Sequence, residues 1–124
     1  VARILIVDDV TSIQELIKEV LLGQGHEFEL AGDGAAAVKI LNAKKIDLAI
    51  IDRNLAGMSG LEIVRHIRKN PKTKDIKVLM CTGSEVPHEI DEARATGVDD
   101  HIGKPISFAT LVEKVDKALA LPHR

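Results

Sequence analysis

The sequence predicts an α/β fold, a doubly wound (βα)5 arrangement with one five-stranded parallel sheet and helices on both faces. Three observations carry this. Five strand-like segments alternate strictly with five helical ones. Three of the strand segments are continuously apolar, as strands buried on both faces are, whereas the other two alternate apolar with polar residues, as sheet edges do. The polar residues Asp8, Asp9, Asp52, Thr82 and Lys104 all fall where a strand segment ends.

Arg3–Val7 is nearly all apolar and ends on Asp8-Asp9. Thr11 or Ser12 caps the helix that follows, with Ser12 and Glu15 at capping-box spacing. Ile13, Leu16, Ile17, Val20 and Leu21 give that helix one apolar stripe, and Gly23 and Gly25 stop it. Glu27–Ala31 reads as a half-exposed strand, after which Gly32-Asp33-Gly34 turns into an alanine-rich helix that buries Val38 and Leu41. The apolar run Leu48 to Ile51 delivers Asp52, then breaks into a loop holding Gly57 and Gly60.

Ser59 and Glu62 form a second capping box, and Leu61, Val64 and Ile67 carry the third helix as far as Asn70-Pro71. Val78–Cys81 is the fourth strand and ends in Thr82-Gly83-Ser84. The next helix, about Pro87 to Thr96, is poor in large apolar residues and has Gly97 as its C-cap. Asp99–Gly103 is a short polar strand ending in Lys104-Pro105. Phe108, Leu111, Val112, Val115 and Leu119 give the last helix its stripe. With strands one, three and four central and right-handed crossovers, the expected order is 2-1-3-4-5.

Length and composition bound the function. The 124 residues make a single domain, 1–124, able to bury a core. A net charge of −2 leaves no basic footprint for direct nucleic-acid binding. No apolar run approaches the roughly 20 residues that span a membrane, and no signal-peptide pattern opens the chain. The one cysteine, Cys81, excludes an internal disulfide framework and fits a reducing compartment, so a cytoplasmic location is expected. Val1 in place of Met leaves two readings open, a processed start or a domain cut from a longer parent. Gly23-x-Gly25 follows a helix rather than a strand and is no dinucleotide fingerprint.

In an open parallel sheet, ligands bind at the carboxyl ends of the strands, at the switch point where neighbouring connections leave to opposite faces. Here that point lies between strands one and three, which sets Asp8 and Asp9 against Asp52. Three carboxylates in one crevice repel each other, and a hard divalent cation such as Mg²⁺ relieves this. Lys104 adds an ammonium and Thr82 a hydroxyl. An acceptor carboxylate, a metal, an ammonium and a hydroxyl are together what phosphoryl transfer onto Asp52 needs.

These residues, Asp8-Asp9, Asp52 followed by Met58-Ser59-Gly60, Thr82-Gly83 and Lys104-Pro105, resemble the receiver domain of two-component response regulators over essentially the whole chain. The resemblance implies a flavodoxin-like, CheY-like fold and a phosphorylation switch. It makes Asp52 the phosphoacceptor. Asp9, Asp52 and the backbone carbonyl of Asn54 would bind Mg²⁺, with Asp8 helping through water. Thr82 would bond a phosphoryl oxygen, Lys104 would pair with the phosphoryl group, and the Lys104–Pro105 bond would be cis.

The implied partners are a histidine kinase or phosphotransfer protein as donor, and a downstream effector or a covalently linked output domain in a longer parent. The implied output surface is the face of helix four, strand five and helix five. The only reactions expected are the chain's own phosphorylation and dephosphorylation, so it is not an enzyme in the usual sense. The chain departs from the family pattern twice. Leu55-Ala56 stands where Met-Pro is usual, and His101 stands where the switch residue is usually Tyr or Phe.

Taken singly, these residues have plainer roles. The acid pair alone suits a helix N-terminus, Asp52 alone suits a loop cap, and Thr82 and Lys104 alone suit a cap and a solvated lysine. Their joint order favours the receiver. An aspartate-based phosphatase needs a second acid where this chain has Asn54, which transfers no proton. A non-phosphorylated interaction module on the receiver fold is the alternative that the His101 substitution keeps open.

Overall fold

The computed structural model describes residues 2–83 and 86–122. Val1, and Ser84 at the end of the expected Thr82-Gly83-Ser84 turn, lie outside the described residues. The elements run β1 (Arg3–Val7), α1 (Thr11–Leu22), β2 (Glu27–Ala31), α2 (Gly34–Ala43), β3 (Leu48–Asp52), α3 (Gly60–Lys69), β4 (Lys77–Thr82), α4 (Pro87–Thr96), β5 (Asp100–Gly103) and α5 (Phe108–Ala120). All five strands are parallel, in the order β2-β1-β3-β4-β5, as the strand compositions predict.

The apolar runs explain both faces. Successive side chains of a strand point to opposite sides, so β1 sends Leu5 and Val7 one way and Ile4 and Ile6 the other. Leu5, Val7, Ala49, Ile51, Val78 and Met80 pack beneath Ala37, Leu41, Val64 and Ile67 of α2 and α3. Ile4, Ile6, Leu48, Ile50, Leu79 and Cys81 pack beneath Ile17, Leu21, Leu111 and Val115 of α1 and α5. Each central strand therefore serves two cores. α4 is the thinly packed element, with Ala93 its one buried residue.

Several local expectations change on folding. Neither Thr11 nor Ser12 caps α1. The helix starts from Val10, with no side-chain cap, because the Asp8 carboxylate accepts the Val10 N–H at 2.8 Å and turns the chain earlier. Ser59 does cap α3, accepting the Glu62 N–H, and Gly97 closes α4 in the left-handed conformation at φ 119°. Val38 is only half-buried, while Ala37 and Leu41 fill that core.

Leu16 and Phe108, placed by periodicity in the core stripes, are 41% and 52% exposed. Both line an apolar groove of about 320 Å³ between α1 and the start of α5, with Ile13, Ile17, Ile106 and Lys104. A helix's apolar stripe is wider than the seam one neighbour covers, and residues at its margin stay open.

Candidate functional site

The register brings the predicted residues to one edge. Val7 pairs with Ile51, Asp52 with Cys81, and Thr82 with Gly103. Asp8, Asp52, Thr82 and Lys104 therefore all leave the sheet at its carboxyl end. One carboxylate oxygen each from Asp8, Asp9 and Asp52 lie within 4.8 Å of one another. Asp8 and Asp52 are buried, and Asp9 is exposed.

Asp52 is fixed on both oxygens. Its Oδ1 accepts the Asn54 backbone N–H at 3.1 Å, and its Oδ2 pairs with Lys104 Nζ at 3.0 Å. The Lys104–Pro105 peptide is cis, as the resemblance implies, and the Lys104 N–H donates to the carbonyl of Thr82 at 2.9 Å. The loop after Asp52 doubles back so closely that the Gly60 N–H donates to the Arg53 carbonyl at 3.0 Å. A Cβ on Gly60 would collide with the Asp52 backbone oxygen, which is why glycine stands there.

The electrostatics follow from this crowding. Burial pushes the Asp8 carboxyl above its ordinary range, the Val10 N–H opposes that, and the nearby charge of Asp52 adds to the rise. Burial works against the Lys104 ammonium, but its hydrogen bond to Asp52 and the charges of Asp52 and Asp8 hold its pKa above the usual value. Burial also pushes the Cys81 thiol up to about 12, so Cys81 stays a protonated core residue beside the site.

The donor set suits Mg²⁺. It is all oxygen, carries several negative charges, and is open to water on the Asp9 side, the kind of site this hard cation takes. Thr82 is 4% exposed and lines a cleft of about 10 Å³, about the room of one water, with Arg53, Ile90, Ala93 and His101. The structure thus brings His101 near Thr82, on the side away from the acid pair.

One site residue escaped the sequence reading, and a second, Arg53, which reads as a loop residue beside the phosphoryl site, has partners that reading did not give. Gln14, on α1, is 8% exposed and donates to the carbonyls of Asp8 and Ala31. Arg53 reaches α4, donating to the Glu89 carbonyl at 3.1 Å and to Glu92 at 2.8 Å. A polar residue beside an apolar stripe was the sole signal for Gln14. Nothing local marked the partners of Arg53, which lie 36 and 39 positions away.

Five parallel strands in this order, with an acid cluster at the switch point, define the CheY-like class of the flavodoxin-like fold. Comparison with known proteins agrees. The family model of the response regulator receiver domain matches residues 4–116. Chemotaxis protein CheY-3 of Vibrio cholerae is 36% identical over 116 residues, covering 93% of this chain and 89% of that protein. The phosphate regulon transcriptional regulatory protein PhoB of Escherichia coli is 35% identical, over 91% of this chain but 49% of its own length. The solved structure of the chemotaxis response regulator CheY4 of Vibrio cholerae superposes with a TM-score of 0.90 at 31% identity, covering 94% of this chain and 98% of that one.

This chain belongs to the response regulator receiver domain family of two-component systems. Its members are signalling proteins rather than conventional enzymes, and membership supports a phosphorylation-dependent signalling role. No helix among the described residues is long and apolar enough to cross a membrane.

Proposed function

We propose that residues 1–124 act as a single cytoplasmic receiver unit that takes a phosphoryl group onto Asp52 from a histidine kinase or phosphotransfer protein. One observation carries this reading. Asp52 stands at the tip of β3, buried, between the Lys104 ammonium and the acid pair Asp8-Asp9. An Asp52 oxygen attacks phosphorus in line, forming the O–P bond. The N–P bond to the donor histidine breaks, and its electron pair stays on the imidazole nitrogen. Lys104 is placed to neutralise a peripheral oxygen of the transferred group, and Thr82 to donate a hydrogen bond to another.

Asp9, Asp52 and the Asn54 carbonyl would hold Mg²⁺, with Asp8 acting through water. Bound there, the ion supplies positive charge to the phosphoryl oxygens. The apolar groove beside Lys104, with Leu16 and Phe108 exposed, offers the donor's helical face a seat next to the reacting carboxylate. Output then runs through α4, β5 and α5 to an effector protein or a linked output domain. The thin packing of α4 suits an element that shifts.

Intact mass after incubation with Mg²⁺ and acetyl phosphate tests the proposal. A single labile phosphoryl adduct is expected on the wild type, missing from Asp52→Asn and missing when EDTA is present throughout. No adduct, where a known receiver reacts, would favour a non-phosphorylated interaction module instead.

A further inference from the structure

Gln14 sits at the N-terminal end of the buried face of α1, a buried amide in line with Ile17 and Leu21. The ladder between β1 and β2 ends where Val7 pairs with Ala31. Beyond it the Asp8 N–H still donates to the Ala31 carbonyl at 3.1 Å. At this point the chain must leave the sheet for α1, and the carbonyl of Asp8 runs past the ladder beneath the helix. Buried carbonyls left without donors are costly. Gln14 Nε2 supplies a donor to the Asp8 carbonyl at 2.5 Å and adds a second one to the Ala31 carbonyl at 3.0 Å.

The carbonyl of Asp8 belongs to the peptide plane that joins Asp8 to Asp9. Fixing it sets the directions in which the two carboxylates leave the backbone. The Asp8 side chain is tied separately, through Val10 N–H. Without Gln14, the hydrogen bond that holds the Asp8–Asp9 peptide from outside the turn, among the described residues, is gone, and the plane can rotate toward water. From these contacts we infer that Gln14 is a positioning residue of the metal site, acting through the peptide that links two of its acids. This rests on the Mg²⁺ reading above.

The test is magnesium chloride titrated into the intact chain by calorimetry, at a temperature where every variant is folded by circular dichroism. Gln14→Met keeps the side chain's length and removes the donor. Its Mg²⁺ dissociation constant is expected to rise about tenfold, the low end for residues that orient metal ligands indirectly. Thr73→Val is the stability control. Thr73 is as buried and donates to the Ile67 carbonyl at 2.8 Å, away from the acids, so it should lower the melting temperature and leave the dissociation constant alone. Gln14→Arg, which keeps N–H donors, should restore most of the affinity.

A Gln14→Met constant equal to the wild type's, with a melting temperature lowered as in Thr73→Val, overturns the inference and leaves the receiver reading standing. A wild type that binds no Mg²⁺ overturns both. Should Gln14→Met not fold, Gln14→Ala, whose gap water can enter, carries the same comparison.

Discussion

Arg53, the residue directly after Asp52, pairs with Glu92 of α4 at 2.8 Å, so the tip of the central strand is tied to the least packed helix. The same guanidinium donates to the Glu89 carbonyl. Glu92 is half exposed, and such a pair contributes at most about 1 kcal/mol to overall stability. Its effect should be local. Arg53→Ala is expected to leave the melting temperature nearly unchanged while raising amide hydrogen exchange across Pro87–Thr96. Exchange in α4 equal to the wild type's would show that the Arg53 contacts do not hold the helix.

Lys104 competes with any cation for Asp52. Lys104→Met keeps the stem and removes the charge, so the three acids lose their internal counter-ion. The metal-free variant should be less stable by about 1 kcal/mol, between the values for exposed pairs and for charged hydrogen bonds. It should also bind Mg²⁺ more tightly, while phosphoryl uptake slows. Weaker Mg²⁺ binding in a calorimetric titration would contradict the assignment of Lys104 as a competing charge.

Gly60 has no room for a side chain. Gly60→Ala would press a methyl against the Asp52 carbonyl and the Arg53 Cα. We expect a loss of about 1–3 kcal/mol, the usual cost of overpacking, and reduced Mg²⁺ affinity because the displaced backbone carries Asp52. Chemical denaturation with a calorimetric titration measures both, and a fully stable variant would show that the loop can open freely.

Asp100 gives a pH-dependent contribution. Burial works against its carboxylate, but the His101 N–H and the Lys114 ammonium more than offset that and lower its pKa below the ordinary 3.8. An acid with a lowered folded pKa adds stability that is full above its unfolded value and lost as pH falls through the folded one. Asp100→Asn should therefore be less stable than the wild type near neutrality. The two denaturation midpoints should converge only below pH 3.8, and convergence at higher pH would assign the effect to another group.

The sequence by itself determined the sheet and the candidate site. Unbroken apolar runs in β1, β3 and β4 demand burial on both faces, which makes those strands central. Asp8, Asp9, Asp52, Thr82 and Lys104 follow strand ends, so the common direction of a parallel sheet is enough to gather them. Both signals are local in the chain.

What only the tertiary structure decided depends on neighbours distant in sequence. Periodicity gave Leu16 and Phe108 a buried stripe, but whether a stripe's margin is covered depends on the spacing of α1 and α5. Ser12 and Glu15 had capping-box spacing, yet the Asp8 carboxylate, fixed by the end of the sheet, took over the turn. Gln14 looked like an ordinary polar helix residue until the ends of β1 and β2 placed two carbonyls above it. Arg53 looked like a loop residue until α4 packed within its reach. Periodicity reports which way a side chain faces, and the partner it finds there is set by the packing of segments far apart in the chain.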